Sequence, residues 1–229
     1  MPATKIHLVR HGEVHNPDRV LYGRLPGFGL SELGTRMAQA SATAWKDAGI
    51  DVRAIVASPL QRTQESAAPW AAAYGLDVRI DERLIEPTNR YEGQPPGFTK
   101  RSVRRPSEWP WIANPWRPSW GEAYESIANR MLAAVSTAWE SVDEGDVVLV
   151  SHQLPIWVTR LFLERRPLWH DPRKRQCSLA SLTSLTFDGP RLVGLAYWEP
   201  AADLVAGALD LLPGASGAGI PRADAEGRG

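Results

Sequence analysis

Short apolar runs alternate with longer segments of helical periodicity along most of this sequence. Residues 146–150 form a nearly continuous apolar run, which is typical of a strand buried on both faces of a sheet. Similar runs at 5–10 and 52–57 each precede a loop or a helical segment, and a third short strand is predicted at 77–80. This order predicts an α/β fold of three layers, with helices on both faces of a largely parallel sheet.

Capping and turn residues set the limits of the predicted elements. Ser31 is a good N-cap for a helix that reaches about residue 48, and Gly75 ends a helix that begins at Pro59. Two runs, 181–187 and 191–198, flank the turn sequence Asp-Gly-Pro, so we expect an antiparallel hairpin at one edge of the sheet. Further helices are predicted at 122–142 and from residue 153 to 163.

One domain is expected over residues 1–200, with an insertion and a tail. The insertion, at about 87–120, is rich in Pro, Trp and Arg, so we expect an ordered segment with one short helix near 99–104. The tail, 201–229, consists mainly of Gly, Ala, Pro and charged residues after Pro213, and we expect it to be mostly disordered from there on.

The overall charge hides two basic segments. The 229 residues carry 26 basic and 26 acidic side chains, and this neutrality argues against nucleic acid as a partner. Residues 99–120, however, hold five basic side chains against one acidic, and residues 160–176 hold six against two. Two interpretations stay open, namely solvated surfaces or a basic rim that guides an anionic ligand to its site.

Several features predict a soluble, cytoplasmic protein. Cys177 stands alone, so an internal disulfide is excluded and a reducing compartment is expected. The first residues show no apolar signal segment, and the strongest apolar run, 147–150, is far too short to span a membrane. No membrane partner is expected, whereas tryptophans of the insertion would suit a homodimer.

Polar residues follow two of the predicted strands at the point where each ends. Arg10-His11-Gly12-Glu13 follows the first strand, and Ser151-His152 follows the strand at 146–150. Ligands of parallel sheets bind beyond these strand ends. A neutral imidazole is a competent nucleophile toward phosphorus, and arginine provides a planar, permanently charged fork for phosphate oxygens. Arg62, in the first turns of the helix from Pro59, is placed to supply a second fork.

These residues resemble the signature of the histidine phosphatase superfamily, also called the phosphoglycerate-mutase-like family. The motif at 10–13 is joined by the Ser-x-x-x-Arg arrangement of 58–62, by Glu86 and by Ser151-His152, and the likeness extends over residues 4–198. It implies that His11 is the nucleophile and becomes phosphohistidine. Glu86 would act as general acid and then as general base, and a cationic His152 would stabilise the transition state.

The resemblance also implies a phosphate pocket of Arg10, Arg62 and His152, with Asn16 as a further contact. No metal and no other cofactor is required, because arginine and histidine provide the positive charge. The expected partner is a small phosphorylated substrate. Its other contacts are predicted at Tyr22, Arg24 and Gln153.

Some roles stay open at the level of sequence. Glu92 competes with Glu86 as the general acid, and Ser58 either caps the following helix or orients the nucleophile's surroundings. His7, His11 and His15 recur every four residues, but this spacing aligns side chains on a helix and not on a strand and loop, so a metal site is not expected.

The function predicted first is that of a metal-independent phosphomonoesterase. Mutases of the family resemble Glu-Arg-His-Tyr-Gly at the acid, and the Arg-His step is missing from residues 86–91. A mutase-type phosphotransferase is the enzymatic alternative. A domain that binds phosphorylated ligands without turnover is the alternative from another class.

Overall fold

A computed structural model of the chain describes residues 2–94 and 121–210. Its six-stranded sheet has the order β3-β2-β4-β1-β5-β6. Neighbours among the first four strands are parallel, while β5 pairs antiparallel with β1 and with β6. The predicted sheet and its edge hairpin are therefore confirmed. The strands are β1 (Lys5–Arg10), β2 (Val52–Ala57), β3 (Val78–Ile80), β4 (Asp146–Ser151), β5 (Leu182–Asp188) and β6 (Arg191–Trp198).

The helices agree with the predicted segments except at their ends. Ser31 caps α1 by accepting a hydrogen bond from the Gly34 amide, as predicted. The next helix begins at Gln61 and not at Pro59, because Leu60 still has extended backbone geometry, and it ends at Gly75 with φ of 67°. The helices are α1 (Glu32–Asp47), α2 (Gln61–Tyr74), α3 (Tyr124–Glu140), α4 (Gln153–Leu163) and the short α5 (Ala202–Val205).

Two hydrophobic clusters give the fold its three layers. Along β4, Val148 and Val150 point toward α1 and α2, where Trp45 and Trp70 complete one cluster. The alternate residues of β4 point to the opposite face, where side chains of α3 and α4 form the other cluster. Successive strand residues face opposite sides, so a continuous apolar run is buried on both faces of the sheet.

The insertion and the tail are only partly described. The two sides of the insertion meet at a bridge between Asn89 and Gly121, while 95–120, which includes the predicted helix at 99–104, lies outside the described residues. The start of the tail packs on the domain, since Leu204 and Val205 contact a cluster with Met37. Residues after 210 lie outside the description. Within the described ranges, no helix has the length and apolar character needed to cross a membrane.

Candidate active site

The loop after β1 is held between β4 and the first two helices. The His11 amide donates to the Ser151 carbonyl at 3.2 Å, and the Gly12 amide donates to Ser66 Oγ of α2 at 3.1 Å. A Cβ atom on Gly12 would lie 2.3 Å from the Gly34 carbonyl oxygen. Only glycine therefore lets this loop lie against the start of α1, and the contact fixes the direction in which His11 leaves the strand.

His11 is positioned as a neutral imidazole. Its Nδ1 lies 2.7 Å from the Gly12 carbonyl oxygen, and because a carbonyl only accepts, the proton is on Nδ1. Nε2 therefore keeps its lone pair. Burial, and then the charges of Arg62 and Arg10, hold the pKa of His11 well below its ordinary value. The ring is thus ready to act as a nucleophile through Nε2.

His152 lies beside His11 at the end of β4, with the two ring centroids 5.3 Å apart. Its Nδ1 accepts a hydrogen bond from Arg62 Nη2 at 3.2 Å, and its Nε2 lies 2.8 Å from Ser58 Oγ. A nitrogen that accepts from arginine carries no proton, so this ring is also neutral. Burial and the neighbouring Arg62 lower the pKa of His152 well below the ordinary value. His152 is therefore neutral in this structure, and the cationic ring that the resemblance implies for the transition state stays a prediction.

The hydrogen bond to His152 also decides between the two roles considered for Ser58. Ser58 follows β2 directly, is fully buried, and accepts from His152 Nε2, whereas the N-cap of α2 is Leu60, without a side-chain hydrogen bond. Ser58 therefore orients His152 and does not cap the helix.

Arg62 is buried in the centre of the site, with 1% of its surface exposed. Its Nη2 donates to the Gly23 carbonyl at 2.8 Å as well as to His152, and its guanidinium lies 4.8 Å from the centre of the Tyr22 ring. Its Nε is buried and has no acceptor among the described residues. A permanent positive charge therefore faces the histidine pair with an unused N–H group.

Arg10 differs from Arg62 in having a carboxylate partner. Its Nη1 and Nη2 donate to Asp210 at 2.8 and 2.9 Å, and Nη1 also donates to the Cys177 carbonyl. Burial by itself would lower the pKa of Arg10, but Asp210 outweighs burial and the pKa is raised. Its Nε, like that of Arg62, is buried without an acceptor among the described residues. Asp210 was not predicted, since the Gly- and Ala-rich tail offers no motif around it.

Glu86 lies next to the histidine pair, whereas the contacts of Glu92 are with the loop residues Gly23 and Asn89. Glu86 Oε2 is 3.6 Å from His152 Nδ1, and burial raises the pKa of Glu86 against the opposing charges of Arg62 and Arg175. Glu92 instead accepts from the Asn89 amide at 3.1 Å. The geometry favours Glu86 as the group that exchanges a proton with substrate.

The remaining predicted contacts surround this centre. Tyr22 covers Arg62, and the ring stacks on Phe28. Arg24 Nε donates to the Glu86 carbonyl at 2.5 Å, so it supports the backbone of the acid. Gln153 accepts from Arg175 at 3.0 Å. Asn16 exchanges hydrogen bonds with the Val20 backbone at 2.9 and 3.1 Å, so its amide closes its own loop.

Sequence reasoning did not single out Arg175 by itself. It is buried, its charge opposes the raised pKa of Glu86, and it belongs to the basic segment 160–176, where only its charge was noted. The three histidines spaced by four residues do not converge: His7 contacts Asp146 and Ser184, and His15 is exposed. Within residues 2–94 and 121–210, no three His, Cys, Asp or Glu side chains are grouped as metal ligands would be.

Comparison with known proteins agrees with this geometry. The sequence profile of the Histidine phosphatase superfamily (branch 1) matches residues 6–198. The chain belongs to the histidine phosphatase superfamily. An uncharacterised Mycobacterium tuberculosis protein is 53% identical over 199 residues, which are 87% of this chain and 98% of that protein.

Similarity to glucosyl-3-phosphoglycerate phosphatases is found at lower identity, both in sequence and in structure. A glucosyl-3-phosphoglycerate phosphatase of Mycobacterium tuberculosis is 29% identical over 216 residues, covering 89% of this chain and 90% of that protein. The structure of a mycobacterial glucosyl-3-phosphoglycerate phosphatase with VO3 superposes with a TM-score of 0.69 at 27% identity, covering 86% of this chain and 98% of that one. Family and neighbours support an enzyme of the phosphatase or mutase type.

Proposed function

We propose that this histidine phosphatase superfamily member hydrolyses small phosphomonoesters without a metal ion, through a phosphohistidine at His11. The observation that carries the proposal is a neutral His11 whose Nε2 has its lone pair, beside Arg10 and Arg62, each with a buried Nε–H that lacks an acceptor among the described residues. A buried donor without an acceptor is costly, and phosphate oxygens would satisfy both arginines.

In the first step, His11 Nε2 attacks phosphorus, the N–P bond forms and the bond from phosphorus to the ester oxygen breaks. The guanidinium groups of Arg10 and Arg62 balance the negative charge on the equatorial oxygens while the phosphoryl group is transferred. The leaving oxygen takes the proton of the Glu86 carboxyl group. Burial, which raises the pKa of Glu86, keeps that proton available.

In the second step, water attacks the phosphorus of phosphohistidine. Glu86, now a carboxylate, takes a proton from this water, the N–P bond breaks and the bonding pair returns to His11 Nε2. Inorganic phosphate leaves, and both groups regain their starting protonation. The same residue therefore serves as acid and then as base.

The test is hydrolysis of p-nitrophenyl phosphate in the presence of EDTA, together with detection of acid-labile phosphoenzyme. His11→Ala is expected to lower kcat/KM by about 10⁴-fold or more and to abolish the phosphoenzyme. His15→Ala is the matched control, because His15 is an exposed histidine of the same loop and should leave activity within about twofold.

Retained activity in His11→Ala would overturn the mechanism, and activity that requires added metal would overturn metal independence. Phosphoenzyme that passes its phosphoryl group to an added phosphoglycerate faster than to water would identify a mutase instead. Phosphate binding without phosphoenzyme or turnover would identify a binding domain.

A further inference from the structure

A third arginine is buried next to the site and forms no ion pair with the described residues. Arg175 follows the 3₁₀ turn Pro172–Lys174 and is 6% exposed. Its Nε donates to His170 Nε2 at 2.8 Å and its Nη1 donates to Gln153 Oε1 at 3.0 Å. Both partners are neutral groups, and Arg175 forms no ion pair with any carboxylate of the described residues.

The neutrality of His170 follows from its hydrogen bonds. Its Nδ1 lies 2.7 Å from the Leu168 carbonyl oxygen and therefore carries the ring proton, which leaves Nε2 to accept from Arg175. Burial and the charge of Arg175 lower the pKa of His170 to about 4. His170 thus fixes the direction of the guanidinium and adds no compensating charge.

A buried cation without a counter-ion is expensive, because it loses hydration and gains no ion pair. Arg10 shows how this chain avoids that cost elsewhere, since Asp210 neutralises it. Burial lowers the pKa of Arg175, opposed first by Glu86. His170 and Gln153 orient the Arg175 guanidinium but do not neutralise it. A buried, oriented and uncompensated positive charge is suited to bind an anion.

The position of Arg175 places its charge on the side of the site where the leaving group of the proposed reaction would lie. Gln153, which holds Nη1, directly follows His152, and Cys177, two residues beyond Arg175, binds Arg10 through its carbonyl. His152 Nδ1 in turn lies 3.6 Å from Glu86 Oε2, and the charge of Arg175 opposes the raised pKa of Glu86. Because Glu86 must reach the ester oxygen, a group beside Glu86 faces the part of the substrate that departs with that oxygen.

We propose that Arg175 binds a second anionic group on the alcohol part of the substrate. The substrate class is then a phosphomonoester whose leaving alcohol carries a carboxylate or another phosphate. This inference rests on the proposed phosphatase function, which orients the substrate with its ester oxygen at Glu86. His170 and Gln153 are positioning residues for this subsite.

The test compares pairs of substrates that differ only in the second anion. 3-Phosphoglycerate against glycerol 3-phosphate tests a carboxylate, and propane-1,3-diol bisphosphate against 3-hydroxypropyl phosphate tests a phosphate. The native protein is expected to favour the member that carries the second anionic group, in at least one pair, by about tenfold or more in kcat/KM. Arg175→Gln should remove this preference, mainly through KM, with a smaller loss for the member of each pair that lacks the second anion.

Arg173→Gln is the matched control, because that arginine is two residues away, its side chain is 86% exposed, and it pairs with Asp171. It should keep the preference. Arg175→Lys, which keeps the positive charge, should keep part of the substrate preference. This variant also provides the test if Arg175→Gln does not fold. Equal losses for both members of a pair, or no preference in the native protein, would overturn the subsite.

Calorimetry on the His11→Ala variant separates this inference from the proposed function. Tighter binding of the compound with the second anionic group, lost when Arg175→Gln is added, would support the subsite even if no turnover is found. Equal binding of both compounds would refute the subsite even if p-nitrophenyl phosphate is hydrolysed in the native protein.

Discussion

His7 and His11 come from the same strand and its end, four residues apart, and both are almost fully buried, yet their surroundings are opposite. His7 Nδ1 lies 2.7 Å from Ser184 Oγ, and Nε2 lies 3.0 Å from Asp146 Oδ2, so both ring nitrogens have side-chain partners. Trp45 packs edge-on against the ring. This polar group is satisfied within the fold.

His11 has one backbone partner and is otherwise surrounded by cations and by another histidine. At this edge of the sheet, Arg10 and Arg62 each retain a buried N–H without an acceptor among the described residues. Satisfied polar clusters stabilise a fold, whereas unsatisfied ones cost stability. The polar cluster of His7, within the sheet, is therefore satisfied, whereas the polar cluster of His11, at the carboxyl ends of the strands where the proposed reaction would occur, is not.

The largest expected contrast comes from replacing each histidine by asparagine. His11→Asn should lower turnover of p-nitrophenyl phosphate by about 10⁴-fold, with the free energy of unfolding within about 1 kcal/mol of native. His7→Asn should lower that free energy by about 2–4 kcal/mol and leave turnover per folded molecule within about threefold. Urea unfolding and steady-state assays measure both. A large activity loss for folded His7→Asn would break the contrast.

Glu86→Gln should have the next largest effect, and the effect should depend on pH. The pKa of Glu86 is raised, so native activity toward an alkyl phosphate should decline only as pH rises through a value above the ordinary glutamate range. The pKa values of His11 and His152 are lowered, so the acid-side decline should lie below the ordinary histidine range.

In Glu86→Gln, kcat/KM for an alkyl phosphate should fall by about 10²-fold or more and lose its alkaline decline. With p-nitrophenyl phosphate, whose leaving group needs little protonation, the rate of phosphorylation of His11 should fall less. Glu92→Gln is the control and should preserve both the rate and the pH profile. The same profile in Glu86→Gln as in the native protein would exclude Glu86 as the acid.

A smaller effect is expected for Ser184→Ala, which removes one partner of His7 without touching the His11 side. The free energy of unfolding should drop by about 1–2 kcal/mol, because a buried ring nitrogen is left unsatisfied. Turnover should not change. Denaturant unfolding with an assay on the same samples provides the measurement, and an unchanged midpoint would show that the His7 cluster does not stabilise the fold.

The smallest effect is expected for Asp210→Asn. Asp210 occupies two N–H groups of Arg10 that a phosphate would otherwise use. Neutralising it should strengthen inhibition by inorganic phosphate by about threefold, since a neutral amide holds the guanidinium more weakly than a carboxylate does. Asp203→Asn, on the same segment, is the control. Weaker inhibition in Asp210→Asn would mean that the carboxylate supports the pocket instead of competing for it.

Much of the fold followed from local patterns. The run at 146–150 is buried on both faces, Ser31 caps α1, Gly75 ends α2, and the turn at 188–190 joins the edge hairpin. These features depend on side-chain periodicity and on the backbone preferences of single residues. Both can be recognised from a short stretch of sequence. The predicted start of α2 was wrong. Pro59 is favourable in the first turn of a helix, but the following residue, Leu60, has extended backbone geometry, so the helix begins only at Gln61.

The sequence predicted those residues of the candidate site that belong to a motif. It did not predict those that only their contacts in the folded protein distinguish. Arg10, His11, Arg62, His152 and Glu86 come together as the motifs indicated. Asp210 lies 200 residues from Arg10 in sequence, and Arg175 differs in no local feature from its exposed neighbour Arg173. Burial and pairing, which distinguish these residues, arise from packing between distant segments.

The sequence by itself therefore determined the strand and helix order, the edge at which polar residues gather and the type of chemistry they suit. Only the tertiary structure decided the protonation of His11 and His152, the role of Ser58 and the isolation of the Arg175 charge. The physical reason is that local patterns follow from neighbouring residues along the chain. Desolvation and hydrogen-bond partners depend on which remote segments meet in the folded protein.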